Sequence, residues 1–298
     1  MPLATGAGRD LYFIEETTFG TTPSTPVFNT MRTTGGALNL RKNNRVSNEV
    51  RKDRQIPDLI YGAERVEGEL AFEFSHGSFD DLLAMALMSD WSSDVLKVGT
   101  DLRSMTIEEF HSDIGQYLRS TGCTINTMNL SITTDEVTGS FGILGKGQTS
   151  ATTAITGSTY TAPSTTTIID GFVGSFELGG SSSGIITQVD LALANGHEVR
   201  NALGGALIEH KHGRSNLTGT ISMYFEDMSE YTKFINGGAS SVQCDLTDGT
   251  NTTSFLIPRL KYTEPDRPVD GETDIVISMP FQALYDVTKQ SNIVITRA

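Results

Sequence analysis

Hydrophobic and polar residues alternate along much of the chain. The clearest example is the run VEGELAFEF at residues 66–74. Alternation with a period of two is typical of a strand, since successive side chains point to opposite faces of a sheet. Glycine, asparagine and aspartate interrupt such runs, and threonine, valine and isoleucine are common within them. The pattern therefore predicts a mainly β protein.

Two stretches have a helical period instead. Residues 78–88 and residues 229–236 each place their apolar side chains on one face of a helix. These side chains are Phe79, Leu82, Leu83, Ala86 and Leu87 in the first stretch, and Tyr231, Phe234 and Ile235 in the second. Each stretch is short and follows a predicted strand, so we expect each helix to flank a sheet.

The order of the predicted elements occurs twice. A strand, a polar loop, a second strand, a helix and a hairpin follow one another in each half of the chain. The matched segments are residues 38–40 with 191–193, residues 50–51 with 199–200, residues 66–74 with 217–225, and residues 125–139 with 257–271, the last at one constant offset. Such an ordered series is hard to obtain by chance, and it predicts an internal duplication.

The duplication predicts two tandem β-sandwich or barrel domains, each with one short flanking α-helix. We place the first domain at residues 1–160 and the second at residues 161–298. Residues 147–167, at the end of the first domain, are uncharged and rich in threonine and serine. This composition predicts a linker or a mobile loop.

The charge of the chain argues against one class of function. Its formal net charge is −14, whereas general nucleic-acid-binding proteins gain affinity by neutralising phosphates with lysine and arginine. Residues 41–54 are the exception, with a net charge of +4 that leaves −18 for the rest of the chain. An acidic body with one basic segment can attract copies of itself.

No segment predicts export or membrane insertion. The first residues lack the basic and apolar regions of a signal peptide, and no apolar run approaches the about 20 residues of a membrane helix. Cys123 and Cys244 match no metal or redox spacing. We expect them to be small buried side chains in a reducing compartment, with a disulfide as the second possibility.

Three motifs that could carry chemistry have simpler interpretations. Residues 142–147 (GILGKG) lack the spacing, the Ser or Thr and the following helix of a phosphate-binding loop. His210 and His212 could approach His197, but we expect them to be solvent-exposed in a polar loop rather than metal ligands. Residues 245–251 (DLTDGTN) could suit calcium, yet Asp-Gly between strands predicts a hairpin turn. The sequence predicts no catalytic residue, no cofactor and no metal site.

A series of sequence blocks runs in order over nearly the whole chain. In the first half they are residues 11–23 (LYFIEETTFGTTP), 31–38, 47–59 (SNEVRKDRQIPDL), 66–68 and 79–83. In the second half they are residues 189–191, 217–219, 224–227 (YFED), 257–260 (IPRL), 280–286 (PFQALYD) and 293–297. With these blocks in this order, the chain resembles the tail tube proteins of long-tailed bacteriophages, in the branch that has two tube domains in one chain.

The resemblance implies a structural protein rather than an enzyme. It implies β domains arranged in rings, whose inner strands join across subunits into a lumen wall, and rings stacked around a tape measure protein. It also implies tail terminator and distal tail or baseplate proteins as partners, assembly in the host cytoplasm, and DNA passing through the lumen without specific binding. Two similar domains can alternate around a ring, so we expect a trimer with near-sixfold symmetry, with a true hexamer as the alternative.

The basic segment is predicted to contact a neighbouring ring. A polar excursion of this length inside a compact domain is unusual unless it is functional or disordered, and apolar residues such as Ile60 could anchor it. The predicted contact residues are Arg41, Lys42, Arg45, Arg51, Lys52, Arg54, Ile56, Leu59 and Tyr61. An ordinary solvated basic loop is the alternative.

Two other functions stay open at this point. The inner tube of a contractile tail or injection machine shares the fold, and the sequence does not separate it from the tube of an unsheathed tail. A carbohydrate-binding β-sandwich is the alternative from a different class. It would need several exposed aromatic side chains at one site, and Trp91 is the only tryptophan of the chain.

Overall fold

Strands dominate the computed structural model, which describes residues 3–171, 173–202, 207–268, 272 and 274–298. This part of the chain contains twenty strands and two α-helices. The predicted mainly β fold is confirmed. Neither of these helices has the length and apolar character needed to cross a bilayer.

The first half has its helix between the fourth and fifth strands. The strands are β1 (Arg9–Glu15), β2 (Val27–Thr30), β3 (Gly35–Val46), β4 (Leu59–Glu73), β5 (Val95–Lys97), β6 (Met105–His111), β7 (Gln116–Thr133), β8 (Val137–Gly145) and β9 (Gly147–Ala151). Helix α1 (Asp80–Leu87) follows β4 after a short turn at residues 76–78.

The second half begins with short strands and ends with a strand near the C-terminus. Strand β10 (Thr159–Tyr160) precedes this half and pairs with β2 of the first half. The strands of the second half are β11 (Ser175–Leu178), β12 (Ser181–Ser182), β13 (Ile186–Ala194), β14 (Glu198–Asn201), β15 (Leu207–Lys211), β16 (Asn216–Tyr224), β17 (Ser240–Thr247), β18 (Thr252–Tyr262), β19 (Val276–Ala283) and β20 (Val294–Arg297). Helix α2 (Ser229–Ile235) lies between β16 and β17.

One antiparallel sheet, here called the shared sheet, runs through both halves. Its strand order is β3-β4-β8-β7-β13-β16-β19. The halves meet where β7 pairs with β13, with Leu130 opposite Leu191. Alternate residues along the strands are buried, such as Leu70 and Phe72 on β4. The residues between them lie on the other face of the sheet.

The buried face of the shared sheet belongs to a core that other strands complete. Strand β7 takes part in both layers: its first residues pair with β6 and β9, and its later residues pair with β8. Gly122, with φ of 61°, lies where β7 passes from one set of partners to the other. Leu11 on β1 and Ile107 on β6 share one hydrophobic cluster with Leu38 on β3.

Both predicted helices are confirmed. In α1 all residues from Leu82 to Leu87 are buried, and the helix ends at Met88 in the left-handed region with φ of 54°. Helix α2 lies nearer the surface, with Tyr231 and Phe234 packed partly against the core. Helix α1 packs against β7 and β5, and α2 packs against β18.

The predicted match of residues 38–40 with residues 191–193 agrees with the strand pairings. Leu38 lies opposite Gly68, and Leu191 lies opposite Gly219. A Cβ atom at Gly68 would lie 1.9 Å from the carbonyl oxygen of the residue before Leu38, and one at Gly219 would lie 2.3 Å from the oxygen of the residue before Leu191. The same close backbone approach therefore requires glycine at both positions.

For the predicted match of residues 125–139 with residues 257–271, the strand pairings give a different offset between the halves. A bulge follows the pairing of Met105 with Cys123, and an equivalent bulge follows the pairing of Ser240 with Leu260. Cys123 therefore corresponds to Leu260, so the expected match of residue 125 with residue 257 is wrong. Because both halves have the bulge, it does not itself change the offset between them. The pairings give an offset of 137 residues (260 − 123) instead of the 132 (257 − 125) of the sequence match, which alternation alone did not fix. The predicted equivalents Val269 and Gly271 lie outside the described residues.

Residues 147–167, expected to be a linker or a mobile loop, contain two short strands that pair with the first half, so the interpretation is wrong for residues 147–151 and 159–160. Strand β9 pairs with β7, and β10 pairs with β2. The Tyr160 hydroxyl donates a hydrogen bond of 2.6 Å to the buried carboxylate of Glu108, and the Tyr160 ring stacks on Phe28. Threonine favours strands as well as loops, which explains the misreading. The division of the chain at residue 160 stays a prediction.

The two halves differ in the hairpin that follows their first sheet strand. In the first half β3 and β4 remain paired beyond the sheet, from Gly35 to Val46 along β3. In the second half the sheet strand stops at Ala194, and β14 and β15 form a separate two-stranded sheet. Gly196, with φ of 59°, and Gly213, whose Cβ would lie 2.9 Å from the Gly196 oxygen, form the bend.

Candidate assembly surfaces

The outer face of the shared sheet is polar and is here called the polar face. Small side chains lie opposite one another on successive strands in a row that crosses the sheet. The row is Ala71, Ser140, Asn129, Ala192, Thr218 and Gln282. An open groove of about 800 Å³ lies along this face. Both halves of the chain therefore contribute to one continuous polar surface.

The charged residues that line this groove are acidic. They are Glu73 and Asp190, and neither lysine nor arginine lines the groove among the residues that the structure describes. Asp190 is held in place by hydrogen bonds from Ser131 Oγ at 2.6 Å and Gln188 Nε2 at 2.8 Å. The groove lining itself therefore offers no cation to a nucleic-acid phosphate, and the exposed Lys261 lies opposite Gln282 at the end of the row.

Strands β3 and β4 continue past the shared sheet as a hairpin, here called the arm and defined as residues 41–65. Arg45 lies opposite Ile60, and residues 47–58 form the tip. The sequence predicted a loop here, and the structure has paired strands instead. All nine residues expected to contact a neighbouring ring lie on the arm and are exposed: Arg41, Lys42, Arg45, Arg51, Lys52, Arg54, Ile56, Leu59 and Tyr61.

Apolar side chains on the arm are unusually exposed. Val50 is 99% exposed, Ile56 is 70% exposed and Tyr61 is 66% exposed. Scattered apolar residues are common on protein surfaces, but a group of them on one projecting element marks an interaction site. The arm therefore presents a group of exposed apolar side chains on one projecting element.

The arm retains an excess of positive charge. Lys42 pairs with Glu64 at 3.1 Å, and Arg51 pairs with Asp53 at 3.0 Å. The hydrogen bond from the Arg51 guanidinium lowers the pKa of the Asp53 carboxyl. Within the described part of the chain, Arg45 makes no ion pair. These exposed pairs neutralise only part of the charge that the arm carries.

The opposite end of the shared sheet is acidic. Strand β4 ends there at Glu73, opposite the start of β8. The turn between β7 and β8 exposes Asp135 and Glu136, and the segment after β16 exposes Glu226 and Asp227. Sequence reasoning missed this surface because its members are far apart in the chain. The only signal was the excess of acidic residues outside residues 41–54.

The shared sheet has an open edge at each end within the described residues. Strand β3 pairs with β4 alone, and its carbonyls at Gly36 and Leu38 accept hydrogen bonds from the side chains of Arg9 at 2.6 Å and Gln148 at 3.2 Å. At the other end, residues 263–268 run beside β19 and are exposed or half-buried. Open edges are sites for the addition of another strand.

The histidines expected to be solvent-exposed divide into two groups. His212 is exposed, as expected, whereas His210 is buried, so the prediction is wrong for His210. His197, which the sequence suggested could approach them, is also buried. The Nδ1 atoms of His197 and His210 lie 3.1 Å and 2.9 Å from the Thr124 hydroxyl oxygen. Phe19 contacts the His210 ring edge-on. The bend after β13 places the β14–β15 hairpin against the first half, and this long-range contact buries the two imidazoles.

The other motifs have structural roles. Residues 142–145 lie inside β8, which leaves no phosphate-binding loop at this position. The turn between β17 and β18 has Gly249 at φ of 91°, and the Asp248 carboxylate accepts backbone hydrogen bonds within it, as the hairpin interpretation predicted. Cys123 and Cys244 are buried free thiols, and burial raises the pKa of both.

The described residues form a β-rich protein with a projecting hairpin and two open sheet edges. A family model described as phage tail tube protein matches residues 6–283 of the chain. The protein therefore belongs to the phage tail tube protein family, as the order of sequence blocks indicated. A comparison with curated proteins found no match. Membership makes this chain a viral structural protein and a component of the virion.

Proposed function

We propose that this chain self-assembles into stacked rings that form the tail tube, around a tape measure protein, with DNA later passing through the lumen. The observation that carries the proposal is the pairing of β7 with β13, which joins two similar halves through main-chain hydrogen bonds. The same kind of pairing between the open edges of neighbouring chains would close a ring.

A trimer is the stoichiometry that fits this arrangement. The shared sheet alternates between two similar halves, so three chains give a ring of near-sixfold symmetry. Closed cyclic rings are the usual form of homo-oligomers, and a different surface at the top and bottom of each ring allows an open stack. Tail terminator and distal tail or baseplate proteins would limit the stack at its ends, after assembly in the host cytoplasm.

The arm would connect one ring to the next. It projects from one end of the shared sheet and is basic, whereas Asp135, Glu226 and Asp227 are exposed at the opposite end. Head-to-tail stacking brings these two ends together. Opposite charges steer such a contact, and the exposed apolar side chains of the arm, such as Ile56, lose contact with water in it.

The polar face would line the lumen. The charged residues that line its groove are acidic, Glu73 and Asp190. Each phosphate contact with a lysine or arginine adds affinity for DNA, which would retain the DNA that the tube has to conduct. The buried face cannot have this role because it contains the core.

Negative-stain microscopy of the purified chain, combined with native mass measurement, tests the proposal. We expect rings of three chains and tubes made of stacked rings. Rings of six chains would overturn the stoichiometry and leave the tube function standing. A chain that stays monomeric at high protein concentration, with no rings or tubes, would contradict the proposed function.

A further inference from the structure

The open edges of the shared sheet belong to strand β3 and to residues 263–268. We propose that these edges pair between neighbouring copies of the chain in one antiparallel register, with Asn39 of one copy opposite Asp266 of the next. The same register places Arg41 opposite Glu264. This inference rests on the proposed ring and names the residues that meet at its junctions.

The first step is that residues 263–266 occupy in the second half the place of the later part of β7 in the first. Asp266 and Ser278 exchange both of their backbone hydrogen bonds, each of 2.8 Å, which fixes the segment beside β19. Between Tyr262 and Asp266 the pairing with β19 slips by one residue, since Tyr262 lies opposite Phe281.

The pairing of β7 with β8 in the first half slips by one residue at the equivalent position. Its register shifts by one residue between Ile125 and Thr127. Tyr262 therefore corresponds to Ile125, and Asp266 corresponds to Asn129. The correspondence agrees with the match of Cys123 to Leu260 that the bulge after β6 gives independently.

The second step is the equivalence of β3 and β13. Both strands have a leucine opposite the glycine of the next strand, Leu38 opposite Gly68 and Leu191 opposite Gly219. Ala192 therefore corresponds to Asn39. Because the shared sheet is open beyond β3, the place that β7 fills beside β13 is empty beside β3 in the single chain.

The junction inside the chain then gives the register of the junction between chains. Strand β13 meets β7 with Ala192 opposite Asn129 and Ala194 opposite Thr127. Replacing each residue by its counterpart places Asn39 opposite Asp266. Two residues further along, it places Arg41 opposite Glu264.

The side chains at these positions complement one another. Arg41 lies opposite Arg65 across β3 and β4, and like charges at directly opposed positions are destabilising. Glu264 of the neighbouring copy would place a carboxylate beside this pair of guanidinium groups. Asn39 and Asp266, both exposed, would place an amide donor beside a carboxylate.

The backbone is compatible with the register. Asp266 uses its N–H and C=O toward β19, so its pairing with Asn39 is of the non-hydrogen-bonded kind, in which side chains lie closest. The Leu38 carbonyl, which accepts from Gln148, has a second lone pair for the Arg267 N–H. Pro265 contributes only its carbonyl, and a proline on an edge strand also limits pairing with other strands.

Disulfide formation between copies tests the register. Asn39→Cys and Asp266→Cys are combined in the full-length chain, assembled tubes are oxidised, and crosslinked chains are separated under denaturing, non-reducing conditions. We expect most chains to appear as covalent dimers and trimers. Opposed Cα atoms in such a pair lie about 4.5 Å apart, within the range of a disulfide. The native cysteines are buried.

Ala37→Cys with Asp266→Cys is the matched control, because a diagonal pair lies about 7 Å or more apart and should crosslink several-fold less. Stronger crosslinking of the control, or none in either variant while tubes form, would show that the register is wrong and leave the tube function standing. A parent chain that forms no rings would overturn both proposals.

Charge reversal provides a second measurement that does not depend on cysteine chemistry. Arg41→Glu and Glu264→Arg should each reduce the fraction of chains in rings, because each places like charges at the junction. The double variant should restore that fraction toward the parent value. Losses that simply add in the double variant would contradict the proposed pairing.

Discussion

The hydroxyl oxygen of Thr124 lies 2.9 Å from Nδ1 of His210. This contact joins β7 of the first half to the β14–β15 hairpin of the second. His197 approaches the same hydroxyl at 3.1 Å. Burial lowers the pKa of both histidines to about 4, because an imidazolium loses its hydration in this site. The folded chain therefore contains both as neutral imidazoles at neutral pH.

The free energy of unfolding should fall as the pH is lowered from about 6.5 toward 4. In this window the unfolded chain binds protons at His197 and His210 and the folded chain does not, so protonation favours unfolding. His210→Asn retains a polar atom for the Thr124 hydroxyl but does not titrate. We expect a weaker pH dependence for this variant in urea unfolding at pH 7 and pH 4.5.

Thr152→Asn is the control for that experiment, since Thr152 is exposed and the substitution removes no titratable group, so the pH dependence of the parent chain should be unchanged. Equal slopes for the parent chain and His210→Asn would mean that His210 titrates normally in the folded state, contrary to the role given to its burial.

Gly68 and Gly219 should be equally intolerant of a side chain. Gly68→Ala or Gly219→Ala would push a methyl group into a backbone carbonyl oxygen, and overpacking of this kind costs about 1–3 kcal/mol. Denaturant unfolding should show both losses. Gly35→Ala is the control, because nothing lies within 4 Å of its Cβ position. A neutral effect at either of the first two sites would weaken the structural equivalence of the halves.

The charge of the arm should control stacking. In the variant with Arg45→Glu, Arg51→Glu and Arg54→Glu we expect folded chains and closed rings but no long tubes. Each exposed ion pair contributes at most about 1 kcal/mol, so the effect arises from several contacts repeated at every ring. Replacing the same three residues with lysine retains the charge, and tubes should form. Tube length in micrographs is the measurement.

Compensating reversal identifies the surface that the arm contacts. Glu226→Arg and Asp227→Arg, introduced into the chain with the reversed arm, should restore tubes at physiological salt. If the reversed arm alone still gives tubes of normal length, the arm is not the electrostatic contact. If only the compensation fails, another acidic surface receives it.

Positive charge on the polar face should make the tube retain DNA. Asn129→Lys with Thr218→Lys adds two cations to the face proposed to line the lumen. Assembled tubes of this variant should bind short DNA, with an affinity that falls steeply with salt by about one power of concentration per phosphate contact. Leu3→Lys with Val287→Lys, at exposed sites outside this face, should not. Equal binding by both variants would place the lumen elsewhere.

The alternation of polar and apolar residues was enough to find the strands of the shared sheet and both helices. The match of residue 38 with residue 191 also agrees with the pairings, because a close backbone approach imposes glycine at the same point of each half. The match of residue 125 with residue 257 failed because the segment from Gly68 to Cys123 is longer than the segment from Gly219 to Leu260, so the offset changes within a half.

Contacts between distant residues account for the other errors. The sequence around His210 is polar, and only the bend at Gly196 brings it against Thr124. Residues 147–167 look like a linker because their partners, among them Glu108 and Phe28, are far away in the chain. The basic segment was found from charge alone, but its form as a hairpin depended on pairing that its polar sequence did not indicate.

The unequal hairpins of the two halves have a consequence for how rings fit together. In the proposed ring, the extended β3–β4 hairpin would alternate with the bent β14–β15 hairpin around the circumference. The lumen wall would then repeat at every domain, whereas the surface that meets the next ring would repeat only at every chain. A ring would therefore stack on its neighbour in fewer orientations than its lumen wall allows. Through the bend at Gly196, the chain would restrict the rotation between successive rings of the proposed tube.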